Sequence, residues 1–321
     1  MAEPQQRAPE SDVVTIVGAG LAGAACAVGL VAAGIGVRLI DRGRAPGGRM
    51  SSPLVHGRRV DVGAGYFTVR DTGFSAVVDR WQAAGLAHPW TDTFSVVELG
   101  KDTRRTTGPV RWGTPDGLRS LVRHELAGLP DTVVIESGSV VTELPAGPVV
   151  LAMPDPQAAR LTAVPDAVTY EPVIALVAGF EDRSWSLPDA AFVHRHPDVA
   201  FLADDGARRG DGAPVLVAHS TGDLAGQHLA EPDGAAPQLV AGLRALLELP
   251  EPTWTQVQRW TFAKPATAHD RTFGLVELGG RPVGFAGDQW CPEGSPRVES
   301  AWRSGTDLAA ALAETLTGRR S

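Results

Sequence analysis

The stretch VVTIVGAGLAGAAC, from Val13 to Cys26, decides the fold of this chain of 321 residues. Its first five residues are apolar or β-branched and predict a parallel strand buried on both faces. A glycine motif with the spacing G-x-G-x-x-G follows, and small apolar residues up to Ala33 then predict a helix. A second buried strand, 37–40, ends at Asp41. This strand–helix–strand unit has the size of a dinucleotide-binding repeat.

Each glycine of the motif has a separate structural role. The residues of the motif are Gly18, Ala19, Gly20, Leu21, Ala22 and Gly23. Gly18 allows the tight turn, Gly20 lets the backbone approach a pyrophosphate, and Gly23 allows close packing of helix on strand. The helix N-terminus favours the phosphate charge, and Asp41 can accept hydrogen bonds from ribose hydroxyls. Taken alone, the motif also fits a glycine turn with a purely structural role.

Composition and charge narrow the class of protein. The net charge of −8 argues against nucleic acid and against an anionic membrane surface as partners. No charged residue lies between Val13 and Val37, but glycines interrupt that run and the preceding residues lack a basic segment, so we expect neither a membrane span nor a signal peptide. The two cysteines cannot form a disulfide framework, which favours a reduced, cytoplasmic setting. Residues 1–11 are predicted to be a disordered tail.

Two further motifs follow the second strand. The first is PGGRMS from Pro46 to Ser51, in which the glycines let a loop lie against a pyrophosphate and Arg49 offers a forked donor to phosphate. The second is DVGAGYF from Asp61 to Phe67, in which Gly63 lets backbone lie against a flat ring. Tyr66 and Phe67 can form a wall in front of that ring.

These motifs, in this order, resemble those of the flavin amine oxidase superfamily, and in particular of its bacterial renalase-like branch. FAGD at 285–288 and RVESAWRSG at 297–305 strengthen the resemblance near the C-terminus. The resemblance implies non-covalent FAD, with Asp288 on the FAD chain, the amide of Val298 near the flavin and Val140 beside the adenine. The other residues predicted to contribute to this cofactor site are Arg42, Gly48, Met50, Asp61, Ala64, Gly287, Arg297 and Ala301.

The sequence departs from the superfamily pattern on the expected substrate face. Val62 and Gly65 stand where members usually have a histidine and a glutamine, and Trp260-Thr261-Phe262 replaces a tryptophan–arginine–tyrosine stretch. The identity of the substrate therefore cannot be inferred from the resemblance.

The fold class that follows is α/β: a glutathione-reductase-like, Rossmann-type FAD domain with an inserted mixed, largely antiparallel β-sheet substrate domain. Short strand-like segments separated by Gly, Pro and Asp clusters across 165–262 favour the antiparallel sheet. We assign 12–70, 111–160 and 275–321 to the FAD-binding domain, and 71–110 and 161–274 to the substrate domain.

The predicted activity is an FAD-dependent oxidoreductase that takes hydride from a small amine or a dihydronicotinamide-type substrate and reduces oxygen to peroxide. The flavin does the chemistry, so no catalytic acid or base is assigned. Candidates for the substrate wall are Tyr66, Phe67, Trp260, Phe262, Lys264 and Trp290, although core packing also explains the aromatic residues and a solvated loop also explains Lys264. No metal site is expected.

Two alternatives stay open. One is a biosynthetic desaturase or tailoring oxidase of the same superfamily, and the other is a non-catalytic scaffold that keeps the FAD fold. A reduced nicotinamide nucleotide fits as substrate, not as a second cofactor, since no second G-x-G-x-x-G is present. The sequence gives no indication of an oligomeric state.

Overall fold

The computed structural model of the chain describes residues 13–318, so the tail 1–11 lies outside the described residues. It divides into two compact units. Unit 1 comprises the segments up to Gly48, Val122–Thr169 and from Thr267 onwards, and unit 2 comprises Arg49–Leu121 and Tyr170–Ala266.

This division differs from the sequence-based domains, because residues 49–70 and 111–121 belong to unit 2 and residues 161–169 and 267–274 belong to unit 1. The physical reason is visible in their contacts. Phe67 forms a β-bridge with Trp112, and Val60 and Val62 pack with the core of the unit 2 sheet. The assignment of these segments to FAD or substrate binding stays a prediction.

Unit 1 is built on a six-stranded sheet, and its strands and helices are β1 (Val13–Val17), α1 (Leu21–Ala32), β2 (Gly36–Asp41), β7 (Val134–Ser137), β8 (Val149–Leu151), α4 (Asp155–Ala158), β14 (Gly274–Leu278), β15 (Arg281–Phe285) and α8 (Val298–Gly318). The strand order is β14-β15-β8-β1-β2-β7, and all neighbours are parallel except the antiparallel pair β14–β15. The predicted Rossmann-type α/β arrangement is confirmed.

Helix α8 packs closely on α1 because small residues face each other. A Cβ atom on Gly305 would overlap the carbonyl of Ala22, and one on Gly29 would lie 2.7 Å from the Cβ of Ala309. The N-terminus of α8 is thereby held beside the helix that follows the glycine motif.

Unit 2 is built on a seven-stranded sheet, and its strands and helices are β3 (Leu54–Val55), β4 (Arg58–Arg59), α2 (Thr72–Ala83), β5 (His88–Val97), β6 (Arg104–Gly113), β9 (Tyr170–Gly179), β10 (Ala190–Val193), β11 (Val199–Asp204), α5 (Asp205–Arg209), β12 (Val215–Ser220), α6 (Gly222–Gln227), α7 (Ala236–Leu247) and β13 (Trp254–Pro265). Helix α3 (Arg119–Ala127) is cut by the division after Leu121. The strand order is β13-β9-β12-β11-β10-β5-β6, antiparallel except for the pair β10–β5. The predicted largely antiparallel sheet is confirmed.

The two faces of this sheet differ in character. One face carries aliphatic side chains that pack with α6 and α7. On the other face, the register places Ala175, His219, Phe201 and Phe192 side by side across four strands. We call this second face the aromatic face, because Phe94, Tyr66 and Trp90 pack with Phe192 and Phe201. None of the helices within residues 13–318 is both long enough and apolar enough to span a bilayer.

Candidate functional site

The glycine motif forms the predicted turn between β1 and α1. Gly18 has φ +113°, and a Cβ atom there would overlap the carbonyl of Ala152. A Cβ atom on Gly23 would overlap the carbonyl of Gly18. Packing within unit 1 therefore accounts for both glycines.

Gly20 is different, since nothing in the protein requires a glycine there. Its φ is −77°, an ordinary value, and the nearest atom to an added Cβ would be the Cα of Gly48 at 4.0 Å. As N-cap of α1, Gly20 makes no side-chain capping hydrogen bond. A bare backbone in front of an uncapped helix N-terminus fits an external anionic group such as a pyrophosphate.

Asp41 is fixed at the end of β2 by two backbone groups. Its Oδ2 accepts from the amide of Ala19 and its Oδ1 from the amide of Gly43, each at 2.6 Å. Each carboxylate oxygen can accept a second hydrogen bond, so the geometry still suits ribose hydroxyls. The PGGRMS loop also reaches this turn, because the amide of Gly47 donates to the carbonyl of Ala19 at 2.8 Å.

Val140 lies in the loop after β7 with 71% of its surface exposed. That loop is tied to the end of β2, since Gly138 donates to Gly43 and Ser139 donates to Asp41. An exposed aliphatic side chain next to the aspartate that is predicted to bind ribose suits contact with an adenine ring.

The start of α8 is organised by two serines. Ser304 Oγ accepts from the amide of Gly287 at 3.1 Å, and Ser300 Oγ accepts from the amide of Arg297 at 2.8 Å and donates to the carbonyl of Asp288 at 3.2 Å. The Gly287-Asp288 turn is thus fixed against the first turn of α8, to which Val298 and Ala301 belong. Leu21 and Ala22 are buried in the first turn of α1, whereas Arg42 and Gly48 are exposed.

Five predicted cofactor residues, Arg49, Met50, Asp61, Gly63 and Ala64, belong to unit 2. The carbonyl of Arg49 accepts from the amide of Ala64 at 2.9 Å, and a Cβ atom on Gly63 would overlap that carbonyl. Packing therefore explains Gly63 without a flat ring. The Arg49 guanidinium donates to the carbonyl of Ala263 at 3.1 Å, and Met50 is buried.

The surroundings of Asp61 favour a structural role over the predicted contact with the cofactor. Only 1% exposed, its carboxylate accepts from Ser52 Oγ and from the amide of Leu118 at 2.8 Å. It also lies 3.2 Å from Arg209 Nη2 and 3.7 Å from Arg208 Nη2. Protein groups surround this carboxylate, so we assign it to holding unit 2 together instead of to cofactor contact.

The predicted wall residues fall into different surroundings. Tyr66 is half-buried at the aromatic face, with its ring 5.2 Å from that of Phe94, and Trp260 Nε1 donates to the carbonyl of Val62 at 2.8 Å. Phe262 packs edge-on against Tyr170. Lys264 is exposed on β13.

Two of the predicted wall residues are enclosed by protein. Phe67 is 2% exposed and is surrounded by aromatic rings of unit 2, so it cannot form an open wall. Trp290 belongs to unit 1, is 3% exposed, and stacks on His269 with ring centroids 3.6 Å apart. His269 Nε2 in turn lies 2.8 Å from the buried carboxylate of Asp155. We leave both aromatic residues out of the wall.

Sequence reasoning missed Phe201 and Arg208, and it considered His219 only as a metal ligand. His219 ends an alternation with Val215 and Val217, which is the signal that places it on the same face of β12. Its Nε2 is shielded from solvent and has no hydrogen-bond partner among the described residues. Within residues 13–318, no group of three or more His, Cys, Asp or Glu side chains could hold a metal ion.

Burial keeps His219 neutral. Burial is the largest of the causes that lower the pKa of this imidazole to about 3, and the positive charges of Lys264 and Arg208 come next. A hydrogen bond with the Val62 backbone acts in the opposite direction. At neutral pH this ring carries no charge, and it can donate one hydrogen bond and accept another.

Comparison with known proteins gives two family matches and several similar structures. Residues 16–81 match the NAD(P)-binding Rossmann-like domain, and residues 110–313 match the flavin containing amine oxidoreductase family. Hydroxyneurosporene desaturase of Rubrivivax gelatinosus is 43% identical over 117 residues, which cover 33% of this chain and only 22% of that enzyme.

Solved structures share the fold at low identity. Cyclohexylamine oxidase from Brevibacterium oxydans IH-35A has a TM-score of 0.73 at 16% identity, covering 96% of this chain and 100% of that one. A putative protoporphyrinogen oxidase from Exiguobacterium sp. 255-15 has a TM-score of 0.72 at 14% identity, with 95% and 99% covered. Putrescine oxidase has a TM-score of 0.70 at 16% identity, with 94% and 98% covered.

The glycine turn suits a dinucleotide and the family match spans most of the chain that follows it, so this protein belongs to the flavin-containing amine oxidoreductase family and is an FAD-dependent oxidoreductase.

Proposed function

We propose that this oxidoreductase takes hydride from a small amine or a dihydronicotinamide-type substrate, as renalase-like proteins do, and passes the electrons to molecular oxygen to give peroxide. FAD supplies the two-electron chemistry when bound. The chain has to bind the cofactor, hold a flat substrate and limit access of water.

The aromatic face of unit 2 is the observation that carries this proposal. Tyr66, Phe201 and Trp260 are all partly exposed on this face. His219, which lies beside Phe201, is neutral. Aromatic side chains hold a planar substrate by stacking, and a neutral imidazole orients it without adding charge. No acid–base residue is required when the substrate arrives uncharged.

The cofactor site that we propose uses Gly20, Asp41, Val140, Asp288 and the first turn of α8. We propose that FAD is held without a covalent bond. Burial raises the pKa of the Cys26 thiol to about 12, so it stays protonated and unreactive, and Cys291 is also buried. Acid precipitation should therefore release all of the flavin into the supernatant, and flavin retained in the pellet would contradict this.

Anaerobic absorption spectroscopy tests the activity. Addition of a dihydronicotinamide or a small amine to the holoenzyme should bleach the flavin bands, and admission of oxygen should restore them with formation of peroxide. Free FAD in the same buffer controls for direct reduction. If no compound of either class bleaches the flavin, the proposed activity is wrong.

The desaturase likeness supports a second candidate. The match covers about a fifth of hydroxyneurosporene desaturase, so it supports a shared ancestry of one segment more than a shared substrate. Bleaching by a long apolar polyene, with no bleaching by amines or dihydronicotinamides, would favour this candidate.

A further inference from the structure

The aromatic face holds a buried ring nitrogen of His219 for which the described residues offer no partner. His219 Nε2 is shielded from solvent, and none of the described residues forms a hydrogen bond with it. Buried polar atoms are almost always paired, so an unpaired one at a candidate substrate face indicates a partner that comes from outside.

We propose that His219 selects the substrate: its Nε2 accepts a hydrogen bond from an N–H or O–H group of an uncharged planar molecule that lies against Phe201. This inference rests on the proposed function, because it concerns the substrate of that same site. It chooses between the two substrate classes proposed above.

Gly65 keeps the ring of Phe201 uncovered. A Cβ atom on Gly65 would lie 3.4 Å from Phe201 Cε1 and 3.3 Å from Arg208 Nη1, so any longer side chain would extend over that ring. No contact as tight as the overlap at Gly63 requires a glycine here, and Gly65 does not have a positive φ. A side chain here would press on Arg208 and Phe201, and its absence also leaves room for a ligand beside the Phe201 ring.

Phe201 is held by its neighbours and still partly exposed. Its ring centroid lies 5.9 Å from that of Phe94, 6.0 Å from that of Phe192 and 5.6 Å from that of His219. A flat molecule stacked on Phe201 would therefore have the imidazole of His219 beside it, because the two side chains are direct neighbours.

The tautomer of His219 determines what it can recognise. The neutral ring has one N–H, and a backbone carbonyl such as that of Val62 can only accept. We place the proton on Nδ1, so that Nε2, which has no partner among the described residues, is the acceptor. The lone pair of Nε2 is then available to accept a hydrogen bond, so the substrate has to supply the donor.

Charge near His219 disfavours ammonium groups. Lys264 and Arg208 both act on the imidazole as positive charges. Because Arg208 is paired with Asp205 and lies 3.7 Å from Asp61, Lys264 is the cation that would repel an alkylammonium placed against the ring. An uncharged amide N–H meets no such penalty. We therefore expect the site to prefer a neutral carboxamide-bearing ring over a protonated amine.

Three ligands that share a phenyl ring, none of which needs to react, test the inference on the holoenzyme. Benzamide is neutral and has an N–H donor, N,N-dimethylbenzamide lacks the donor, and benzylamine is protonated at pH 7.5. Isothermal titration calorimetry should give a benzamide affinity about tenfold above that of each of the other two, which is the usual effect of one buried hydrogen bond.

The His219→Phe variant keeps a ring but removes the acceptor. It should lose about tenfold in benzamide affinity and less than twofold in N,N-dimethylbenzamide affinity, because only the first ligand uses Nε2. A merely structural role of His219 would weaken both ligands equally. His219→Gln, which retains an acceptor, should recover most of the benzamide affinity, and His194→Phe, at an exposed histidine of the same unit, should change neither.

The inference is overturned if wild-type protein binds benzylamine as tightly as benzamide, if it binds no benzamide, or if His219→Phe weakens the two amides equally. Should His219→Phe fail to fold, His219→Gln and the three-ligand comparison on wild-type protein decide the question. These are binding measurements, so they can fail while the flavin is still bleached by a substrate, and they can succeed when no turnover is found.

Discussion

Trp260 and Val62 are joined by a hydrogen bond of 2.8 Å from the indole Nε1 to the backbone carbonyl. Trp260 lies on β13, just before the register of that strand against β9 shifts by two residues on the way to Lys264. Val62 belongs to the loop that leads to Gly65 and Tyr66. The bond therefore fixes the loop to the edge of the aromatic face, and it keeps the wall residue in one orientation.

Replacement of Trp260 by phenylalanine should loosen this connection. The lost hydrogen bond should lower the free energy of unfolding by about 1 kcal/mol and raise the KM of the substrate more than it lowers kcat. Urea denaturation and steady-state kinetics measure the two effects. Trp254→Phe, which removes an indole stacked on His56 from the same strand, is the control and should leave KM unchanged. A lowered kcat at constant KM would contradict the positioning role.

Gly20 and Gly23 should respond differently to alanine. Gly20→Ala meets no protein atom closer than 4.0 Å, so the apoprotein should keep its Tm while the Kd for FAD rises at least tenfold. Gly23→Ala drives a methyl group into the carbonyl of Gly18 and should destabilise the apoprotein by about 2 kcal/mol.

Apoprotein melting curves and fluorescence titration with FAD distinguish the two variants. Unchanged FAD affinity in Gly20→Ala would show that the pyrophosphate does not approach this residue, and the cofactor site that we propose would be wrong at that point.

The sequence predicted the part of the fold in which local pattern and tertiary structure agree. The strand 13–17 and the helix after the glycine motif both appear, because buried parallel strands and their helices carry continuous apolar runs. It missed β5 and β6, in which polar residues alternate irregularly and Gly108 and Pro109 interrupt the second strand. Such strands are specified by their pairing partners more than by their own residues.

The same limit applies to the site. Motif spacing predicted the phosphate turn and Asp41, because those residues are positioned by backbone geometry that is local in sequence. Sequence reasoning also placed Asp61 and Phe67 at the site, but both are enclosed by protein. Phe201 and His219 reach the site only through the strand register across β11 and β12, which no local motif encodes.

Asp61 should behave as a structural residue. In Asp61→Asn, Arg208 and Arg209 lose a buried counter-charge, and we expect the free energy of unfolding of the apoprotein to fall by about 3 kcal/mol. The Kd for FAD should change less than threefold. Asp223→Asn, at an exposed aspartate of unit 2, is the control for loss of one charge. A large loss of FAD affinity with unchanged apoprotein stability would restore the cofactor role.

His219 should make the protein less stable in acid. Its pKa is about 3 in the folded protein and near 6.5 in the unfolded chain, so between these values unfolding takes up a proton. Its contribution to stability is complete above about pH 6.5 and is lost as the pH falls, by at most about 1.4 kcal/mol per pH unit.

Urea denaturation at pH 7.5, 6.5, 5.5 and 4.5 should show this. Wild-type protein should lose stability more steeply than His219→Gln below pH 6.5, with equal slopes above it, and His194→Gln should follow the wild type. Parallel curves for wild type and His219→Gln would mean that the imidazole titrates normally and is open to water.

Lys264 provides the last prediction, because its charge acts on the site from an exposed position. Lys264→Gln removes one positive charge near His219, so benzylamine affinity should rise two- to fivefold and benzamide affinity should stay the same. Since an exposed charge is screened by salt, the gain should shrink in 0.5 M NaCl. Lys101→Gln, at an exposed lysine that pairs with Glu98, should have no such effect. If Lys264→Gln instead lowers kcat by a hundredfold with no change in benzylamine affinity, the lysine acts on the reacting atoms, and its role is catalytic instead of electrostatic.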